Sequence, residues 1–478
     1  MIRVAFVLRQ GLIEQFGVLH LCGMLKRHSY AYDIFLLSDN CVKEIQQYSP
    51  DIVAYNTVIG TQHTFLEINR TVKKILPNVF SVFGGHYPTL VPEMIQEEGV
   101  DAICVGEGDY ALLELVQAMD KGEEFTKIKN LHFKIDGEIV QNPKRHLIED
   151  LDSLPFADRE VLYRKNPWFR EGVPRRFLTK RGCPFNCSYC FNDSIRRLYK
   201  GLGKHFRVRG VDCVVREMEE VTEKYPSPIV SVMDDTFTFG KADWVYEFAE
   251  QYRKRVGLPL VCTTRVGTFD YETMRALKDA GLYHVFFGVE TANEELRKRI
   301  LRRQHTNKQI IEATEMLREL GIKYTTLNML GLPEGGYEEA LRTLEFNQSL
   351  KPHYAMATVF QPYPGSSISE YIKEHGYLAE DAEISEATTL FSESRLKFGN
   401  PEEGRKILAL QRIFALCVGH PALNKFIPVL VKMPESQLVD WVHRVYRGLA
   451  AYGRYKKGMS PKRFLFHGWH YFLSRELF

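Results

Sequence analysis

The chain has 478 residues and a net charge of +3, with 45% hydrophobic and 26% charged residues, as in ordinary globular proteins. These values exclude extended disorder, coiled coil and collagen-like structure, and the length predicts two or three domains. We find no apolar run long enough to span a bilayer and no signal-peptide pattern at the start. Nine cysteines, six of them scattered, favour reduced thiols. We therefore expect a cytoplasmic protein.

The first part of the chain alternates short β-rich runs with amphipathic stretches. The runs are IRVAFVL, AYDIFLL, DIVAYNTV, FSVFGG and AICVGEG. This rhythm predicts an α/β domain with a doubly wound (Rossmann-like) parallel sheet over residues 1–125. Residues 126–175 carry a hairpin-like segment, LHFKIDGEIVQNP, followed by several prolines, and we interpret them as a connector.

A second series of strand-like runs occupies residues 176–380, starting at RRFLTK and ending at YAMATVFQPYP. Six such runs separated by helical patterns predict a partial or full β/α (TIM-like) barrel. In such barrels the chemistry lies at the carboxyl ends of the strands. Helical periodicity alone continues through residues 381–478, which predicts a helical C-terminal region.

Three cysteines follow the first barrel strand in the sequence TKRGCPFNCSYCFN, namely Cys183, Cys187 and Cys190. Thiolates suit iron-sulfur clusters, and three of them on a four-iron cubane leave one iron open for a chelating amino-carboxylate. The alternatives are a zinc site or three unrelated buried thiols. Zinc prefers four closed ligands, commonly from two cysteine pairs, and the sequence shows no second pair.

The CxxxCxxC pattern, with an aromatic residue before the last cysteine, resembles the radical SAM superfamily over about residues 176–370. This resemblance implies a 4Fe-4S cluster that binds S-adenosylmethionine (SAM) and reductively cleaves it to a 5′-deoxyadenosyl radical. It also implies an electron donor such as flavodoxin or ferredoxin.

The same resemblance assigns SAM contacts at the strand ends. Tyr189 is expected to lie against the adenine, and Asp234 and Asp235, an acidic pair in place of the family's common glycine-rich form, near the methionyl amino group. Arg265 is expected to pair with the carboxylate, and Glu290 to accept from the ribose hydroxyls or the amino group. The segments GLPEGG from 331 and QPYPGSS from 361 resemble the loops that approach adenine.

Three runs of the first domain, LIEQFG, GGHYPT and VGEGDYALLE, resemble in their order the cobalamin-binding domain that precedes the barrel in one radical SAM class. Against the fingerprint D-x-H-x-x-G, Leu12 stands in the place of the aspartate and Glu14 in that of the cobalt-binding histidine. The resemblance therefore implies base-off cobalamin without a histidine ligand. The candidate cobalamin contacts are Glu14, Thr57, Gly84, Gly85, His86, Gly106, Glu107 and Gly108. The alternative is an empty or nucleotide-binding domain.

From Trp441 to the end, eight basic side chains stand against one acidic side chain, interleaved with aromatic residues. This mixture could contact an anionic membrane surface or hold an amphiphilic or anionic substrate. The alternative is a helical cap with a solvated basic face. Nucleic acid is conceivable but is not favoured.

Together these resemblances predict a cobalamin-dependent radical SAM enzyme that acts on an unactivated carbon of a small molecule, in the main interpretation as a C-methyltransferase. Amphiphilic substrates such as a pigment, lipid, isoprenoid or antibiotic precursor are candidates. One alternative is a radical cyclase, oxidase or rearrangement enzyme without methyl transfer. Another is a corrinoid- or metal-binding accessory protein with a structural cluster.

Overall fold

A computed structural model describes residues 1–11, 13–170, 174–379, 384, 394–432 and 437–455. Its first unit is built on a seven-stranded sheet in the order β2-β1-β3-β4-β5-β6-β7, parallel over the first five strands and antiparallel over the last two. The strands are β1 (Arg3–Leu8), β2 (Ala31–Leu36), β3 (Ile52–Asn56), β4 (Phe80–Gly84), β5 (Ala102–Cys104), β6 (Leu131–Ile135) and β7 (Glu138–Gln141).

Helices cover both faces of this sheet, as a doubly wound fold requires. They are α1 (Phe16–Arg27), α2 (Cys41–Tyr48), α3 (Gln62–Ile75), α4 (His86–Leu90) and α5 (Asp109–Lys121). One hydrophobic cluster joins α1 and α5 to the sheet, and another joins α2 and α3 to the opposite face. The predicted α/β fold of the first domain is confirmed.

The segment expected to be a connector is packed against the first domain. Its hairpin, β6 and β7, extends the first sheet because Leu131 and Phe133 bury their side chains there. Beyond it lie α6 (Glu160–Tyr163) and α7 (Pro167–Arg170), which join the cluster around α1. A Cβ on Gly23 of α1 would lie 2.4 Å from the Phe156 carbonyl oxygen, so the two segments are in close contact.

The second unit is a six-stranded parallel sheet in the order β8-β11-β12-β13-β14-β15, beside a two-stranded antiparallel ribbon of β9 and β10. Its strands are β8 (Arg175–Phe177), β9 (Lys180–Arg181), β10 (Arg207–Val208), β11 (Val230–Val232), β12 (Leu260–Thr264), β13 (Leu282–Glu290), β14 (Lys323–Leu330) and β15 (Tyr354–Val359). Each sheet strand lies beside its predecessor, and β15 does not pair with β8 within the described ranges. The barrel is therefore partial.

The helices of this unit lie between its strands and after the last one. They are α8 (Phe191–Leu198), α9 (Val211–Lys224), α10 (Ala242–Arg255), α11 (Tyr271–Asp279), α12 (Glu294–Arg299), α13 (Asn307–Glu319), α14 (Tyr337–Leu350) and α15 (Ser367–Glu374). Val230, Leu260, Val285 and their neighbours pack against these helices in one continuous core. Because the six strands of this sheet are parallel, their carboxyl ends all lie at one edge.

Three further helices complete the described part of the chain: α16 (Pro401–Gly419), α17 (Ile427–Leu430) and α18 (Gln437–Tyr455). Helix α16 packs against β15 and α14, and an ion pair of 3.2 Å between Arg412 and Asp440 fixes α18 on α16. Most of the basic, aromatic tail, residues 456–478, lies outside the described residues. None of the described helices combines the length and apolar character needed to cross a membrane.

The two units meet through charged side chains, with carboxylates after β5 on one side and arginines of β9 and β10 on the other. Arg181 donates to both carboxylate oxygens of Asp109 at 2.9 and 3.0 Å, and Glu107 pairs with Arg207 at 2.9 Å. The Glu107 N–H donates to the Tyr199 hydroxyl. The carboxyl edge of the first sheet is thereby fixed against the segment that carries the three cysteines.

Gly106 occupies this contact with a left-handed φ of 99°, and an added Cβ would lie 1.7 Å from the Tyr199 hydroxyl. We expect Gly106→Ala to lower the free energy of unfolding by about 2–3 kcal/mol, because backbone strain adds to the steric clash. Gly137→Ala is the matched control: its φ is 84°, but nothing lies near its Cβ position, so about 1 kcal/mol is expected. Thermal unfolding measures both, and equal losses would contradict the proposed contact.

Candidate functional site

The three cysteines lie in one loop between β9 and α8. Gly182 opens this loop with a φ of 78°, and an added Cβ would lie 2.3 Å from the His205 carbonyl oxygen. Cys190 ends the loop as the residue preceding α8, and its N–H donates to the Cys187 carbonyl at 3.1 Å. Cys187 is buried, whereas Cys183 and Cys190 are half-buried.

The surroundings of Cys183 and Cys190 oppose an isolated thiolate. Burial raises the pKa of Cys190 to about 12 and also raises the pKa of Cys183. Binding to iron would reverse this, since a coordinated thiol is deprotonated. Within the described ranges, no three side chains of His, Cys, Asp or Glu converge on a single metal ion. Cysteines that bind a cubane each hold a different iron, so they stand further apart than the ligands of one ion.

Beside the cysteines, half-buried Tyr189 forms a triad with buried Glu290 and Arg303. The Tyr189 hydroxyl donates to Glu290 Oε1 at 2.9 Å, and Arg303 Nη1 lies 2.9 Å from the same oxygen and from the Tyr189 hydroxyl. Glu290 reaches this position with a φ of 67°, and a Cβ on Gly288 would lie 1.9 Å from its carboxylate. The structure therefore brings together two residues predicted as SAM contacts and adds Arg303, which the sequence analysis missed.

Buried arginines outnumber the buried carboxylate of Glu290 around this triad. Arg265, Arg297 and Arg303 are all buried, and Arg297 Nε and Nη1 have no hydrogen-bond partner among the described residues. Neither ring nitrogen of buried His305 has a partner there, and burial together with Arg303 lowers its pKa to about 2. Buried cations without counterions are costly. Three cysteine thiolates and a SAM carboxylate supply the negative charge that this region lacks, so the residues present fit both groups.

Arg265, predicted to pair with the SAM carboxylate, contacts the cysteine loop directly. Its Nη1 donates to Cys187 Sγ at 3.0 Å, and its guanidinium lies 4.0 Å from the centre of the Phe185 ring. It therefore places a positive charge at the cysteine site.

The two acidic residues after β11 have different surroundings. Asp234 is buried and accepts hydrogen bonds from the N–H groups of Thr179 and Lys180 at 2.7 and 3.2 Å, and from the Thr179 hydroxyl. Burial raises its pKa to about 6, although Thr179 and Lys180 favour its charged form. Asp234 thus ties β11 to the end of β8. Asp235 is exposed and acts electrostatically on Cys183 and Cys190, so it is the member of the pair that faces the cysteines.

The loop QPYPGSS after β15 also contacts the cysteine segment. The Gly365 carbonyl accepts from the Ser194 hydroxyl at 2.8 Å, and the Ile368 N–H donates to the Ser188 carbonyl at 3.1 Å. In the other predicted loop, GLPEGG, Glu334 pairs with Arg299 at the surface.

The first domain contributes a glycine-lined edge after β3 and β4. Gly85 has a φ of 100°, and a Cβ there would lie 2.7 Å from both Asn56 Oδ1 and the Thr57 carbonyl oxygen. The Thr57 hydroxyl is fully buried without a partner in the described part of the chain. An unpaired hydroxyl beside a glycine cradle fits a bound cofactor tail. The His86 ring lies 3.8 Å from the Phe191 ring, and Phe191 directly follows Cys190, so this edge faces the cysteine loop.

Four predicted cobalamin contacts are placed differently. Glu14 is buried in an ion-pair network, where its carboxylate accepts from Arg176 at 2.8 Å and Tyr163 at 3.1 Å and lies 3.8 Å from Arg159. Gly106 and Glu107 contact the barrel as described above, and Gly108 precedes α5. The structure thus gives Glu14, Gly106 and Glu107 roles in joining the units. Leu12, the other fingerprint position, lies outside the described residues.

Comparisons with known proteins agree with this architecture. Residues 178–346 match the radical SAM superfamily, and residues 2–116 match the B12 binding domain. An uncharacterized methyltransferase of Pyrococcus horikoshii is 29% identical over 78% of this chain and 80% of its own length. The anaerobic magnesium-protoporphyrin IX monomethyl ester cyclase of Cereibacter sphaeroides is 26% identical over 81% of this chain and 65% of its own length.

One similar solved structure is that of the cobalamin-dependent SAM radical enzyme OxsB with aqua-cobalamin and SAM bound. The match covers 95% of this chain and 73% of the OxsB chain, with a TM-score of 0.68 and 15% sequence identity. This likeness supports the fold of both units. The two sequence matches fall on the units that carry the cysteine loop and the glycine-lined edge, so the chain combines a B12 binding domain with a radical SAM domain.

Proposed function

We propose that this protein is a cobalamin-dependent radical SAM C-methyltransferase acting on a small molecule. One observation carries the proposal: the ring of His86, on the glycine-lined edge of the first domain, contacts the ring of Phe191, which follows Cys190, at 3.8 Å. A substrate bound beside this ring contact would face both cofactor sites at once, which is the proximity that a two-cofactor reaction needs.

The enzymes of this class use a 4Fe-4S cluster, SAM and cobalamin. When bound, the cluster would supply the electron for reductive cleavage of SAM, and cobalamin would supply the methyl group. In this chain Cys183, Cys187 and Cys190 would hold the cluster. Tyr189 and Glu290 would contact SAM, with Arg303 positioning both of them.

The remaining site residues support these contacts. Arg265 offsets the charge of the thiolates, and Asp235 would accept from the methionyl amino group. Thr57, Gly84, Gly85 and His86 would line the cobalamin site. The required electron would come from a donor of the flavodoxin or ferredoxin type.

A radical cyclase without methyl transfer is the second candidate, because the cyclase of Cereibacter sphaeroides is 26% identical to this chain over 81% of the chain's length. Transfer of label from the methyl group of SAM to product distinguishes the two reactions. Methylated product supports the methyltransferase, whereas an unlabelled oxidised or cyclised product supports the cyclase. An accessory protein with a structural cluster would cleave no SAM.

The cysteine assignment predicts loss of SAM cleavage in Cys187→Ala. Purified and reconstituted without oxygen, the wild-type protein should form 5′-deoxyadenosine from SAM with a strong reductant, and Cys187→Ala should form none, because two thiolates do not retain the cluster. Bound corrinoid, measured by its absorbance, should be retained. Cys213→Ala, outside the loop, is the control and should keep both properties. Failure of iron-loaded wild-type protein to form deoxyadenosine would refute the assignment of the three cysteines to a SAM-cleaving cluster.

The cobalamin assignment predicts that Thr57→Val lowers the affinity for cobalamin without lowering the melting temperature of the cofactor-free protein. Removing a buried, unpaired hydroxyl should leave the melting temperature of the cofactor-free protein unchanged or higher. Cobalamin affinity should fall about tenfold with the loss of one hydrogen bond to the cofactor. Thr326→Val is the matched control, because its buried hydroxyl donates to Asn347 at 2.6 Å. It should lower the melting temperature without changing corrinoid binding, and unchanged cobalamin affinity in Thr57→Val would refute the contact.

We also propose a peripheral membrane contact through the C-terminal helices. Val429, Trp441 and Leu449 expose 63%, 53% and 57% of their surfaces, and the basic tail follows α18. Exposed apolar side chains next to basic residues favour an anionic bilayer surface.

Co-sedimentation with phosphatidylcholine vesicles containing phosphatidylglycerol tests this contact. We expect the full-length protein to bind them, and the double variant Trp441→Ser, Leu449→Ser to bind several-fold less because buried apolar area is lost. Tyr246→Ser, an exposed aromatic on α10, is the control and should bind normally. A full-length protein that ignores anionic vesicles would overturn the proposal.

A further inference from the structure

The two faces of the second sheet differ in how completely their side chains are buried. On the outer face, which packs against the helices, Val232, Cys262 and Phe287 are almost fully buried. The side chains that alternate with these along the chain point to the opposite, inner face. A set of the inner side chains stays partly accessible to solvent, and Met233 exposes 37% of its surface. The set consists of Leu178, Met233, Thr263, Phe286, Leu327, Met329, Met356 and Thr358.

This accessibility follows from the open form of the barrel. A closed β/α barrel fills its interior with layers of side chains contributed by strands all round the ring. In this sheet β8 and β15 are the two edges and do not pair with each other in the part of the chain that the structure describes. The inner side chains are therefore not packed against a closing strand, and the inner face forms a concave surface that can hold a molecule.

The strand register places the accessible inner side chains next to one another. Thr263 of β12 is the partner of Phe286 of β13, and Leu327 of β14 is the partner of Met356 of β15. These side chains are uncharged and mostly apolar. Methionine is flexible and polarizable, so it adapts to the shape of a bound apolar group. A contiguous accessible apolar surface of this kind is typical of a ligand-binding site.

The carboxyl edge of the inner face carries predicted SAM contacts. Glu290 ends β13, and its carboxylate lies over Gly288, where an added Cβ would be 1.9 Å away. Gly288 is the partner of Leu327 in the sheet. Met329 and Tyr189 pack against the same hydrophobic cluster. A molecule bound on the inner face would therefore reach the predicted SAM site.

The β8 side of the inner face adjoins the first domain. Arg176, on the inner side of β8, donates to Glu14 at 2.8 Å. The next residue, Gln15, accepts from the side-chain amide of Asn56 at 2.7 Å, and Asn56 precedes Thr57 on the glycine-lined edge. The inner face is thus connected to the predicted cobalamin contacts as well as to those of SAM, as a substrate site for a two-cofactor reaction must be.

We propose that the inner face of the partial barrel binds the reacting part of the substrate, and that this part is uncharged and apolar. This inference rests on the proposed function for the statement that the bound molecule is a substrate. The reacting part would lie against Met233, Leu327 and Met356. A charged group placed there would lose its water without gaining a partner from these side chains, so any charge on the substrate would lie away from this surface.

Equilibrium dialysis of neutral 2-acetylnaphthalene and anionic 2-naphthoate tests the site in the reconstituted holoenzyme. We expect the neutral probe to bind about tenfold more tightly than the anion. In the double variant Met233→Gln, Met356→Gln the neutral probe should bind about tenfold more weakly, because glutamine keeps the side-chain length but loses the apolar contact. Met316→Gln, at a half-buried methionine on α13, is the control and should keep the wild-type affinity.

Equal binding of the two probes, or tighter binding of naphthoate, would overturn the proposal. So would an affinity for the neutral probe that does not change in the Met233, Met356 variant. A second readout uses the wild-type holoenzyme with ¹³C-labelled methionine methyl groups, and so does not require the variant to fold. In its methyl NMR spectrum the neutral probe should shift the signals of Met233 and Met356 but not that of Met316, and unshifted Met233 and Met356 signals would refute the contact.

The proposed function is checked separately by deoxyadenosine formation from SAM in the wild-type protein without any probe. If deoxyadenosine forms but the neutral probe shows no dependence on Met233 and Met356, the substrate site is wrong and the proposed function stands. If the probe binds with the expected methionine dependence but no deoxyadenosine forms, the inner face is an apolar binding site and the proposed function fails.

Discussion

The pairing of Arg181 with Asp109 and Glu107 determines where the cysteine loop lies relative to the first domain. Arg181 stands two residues before Cys183, and both carboxylates follow β5 of the other unit. Burial alone would raise the pKa of Asp109, but Arg181 lowers it below its ordinary value, so the pair is ionised. A bidentate arginine contact fixes orientation as well as distance. The first domain thus positions the start of the cysteine loop, and this contact helps to hold the two predicted cofactor sites near each other.

A second ion network supports the same arrangement from the interior. Glu14 of the first domain, Arg159 of the connector and Arg176 of β8 are joined there, and Glu217 of α9 contacts Arg159 at 3.2 Å. Buried ion pairs add little net stability, because desolvation offsets their attraction, but removal of one partner is strongly destabilising. Any other relative placement of the two units would leave some of these buried charges unpaired, so the network disfavours it. The connector is therefore a structural layer that links the first domain to the barrel.

Much of this architecture could be predicted from local sequence. The alternation of β-rich runs and amphipathic segments indicates both α/β units, since period and composition are local properties. The CxxxCxxC spacing is equally local. Glu14 shows the limit: its place in a fingerprint suggested a cofactor contact, but its partners lie 145 or more residues away in the chain. Arg303 was missed for the same reason, because only the fold brings it to Tyr189, 114 residues earlier. Asp234 follows a strand as expected, but its carboxylate is engaged by backbone N–H groups that no sequence pattern reveals, and its predicted SAM contact stays a prediction.

Buried positive charge marks the region beside the cysteine loop. The buried arginines around Tyr189 carry more positive charge than the buried carboxylate of Glu290 balances, and one of them, Arg265, donates to Cys187 Sγ. Removing a guanidinium from water is costly unless an anion is bound beside it, so this region suits groups that stay in place and carry negative charge. That is the physical reason to assign the buried arginines to SAM and the cluster.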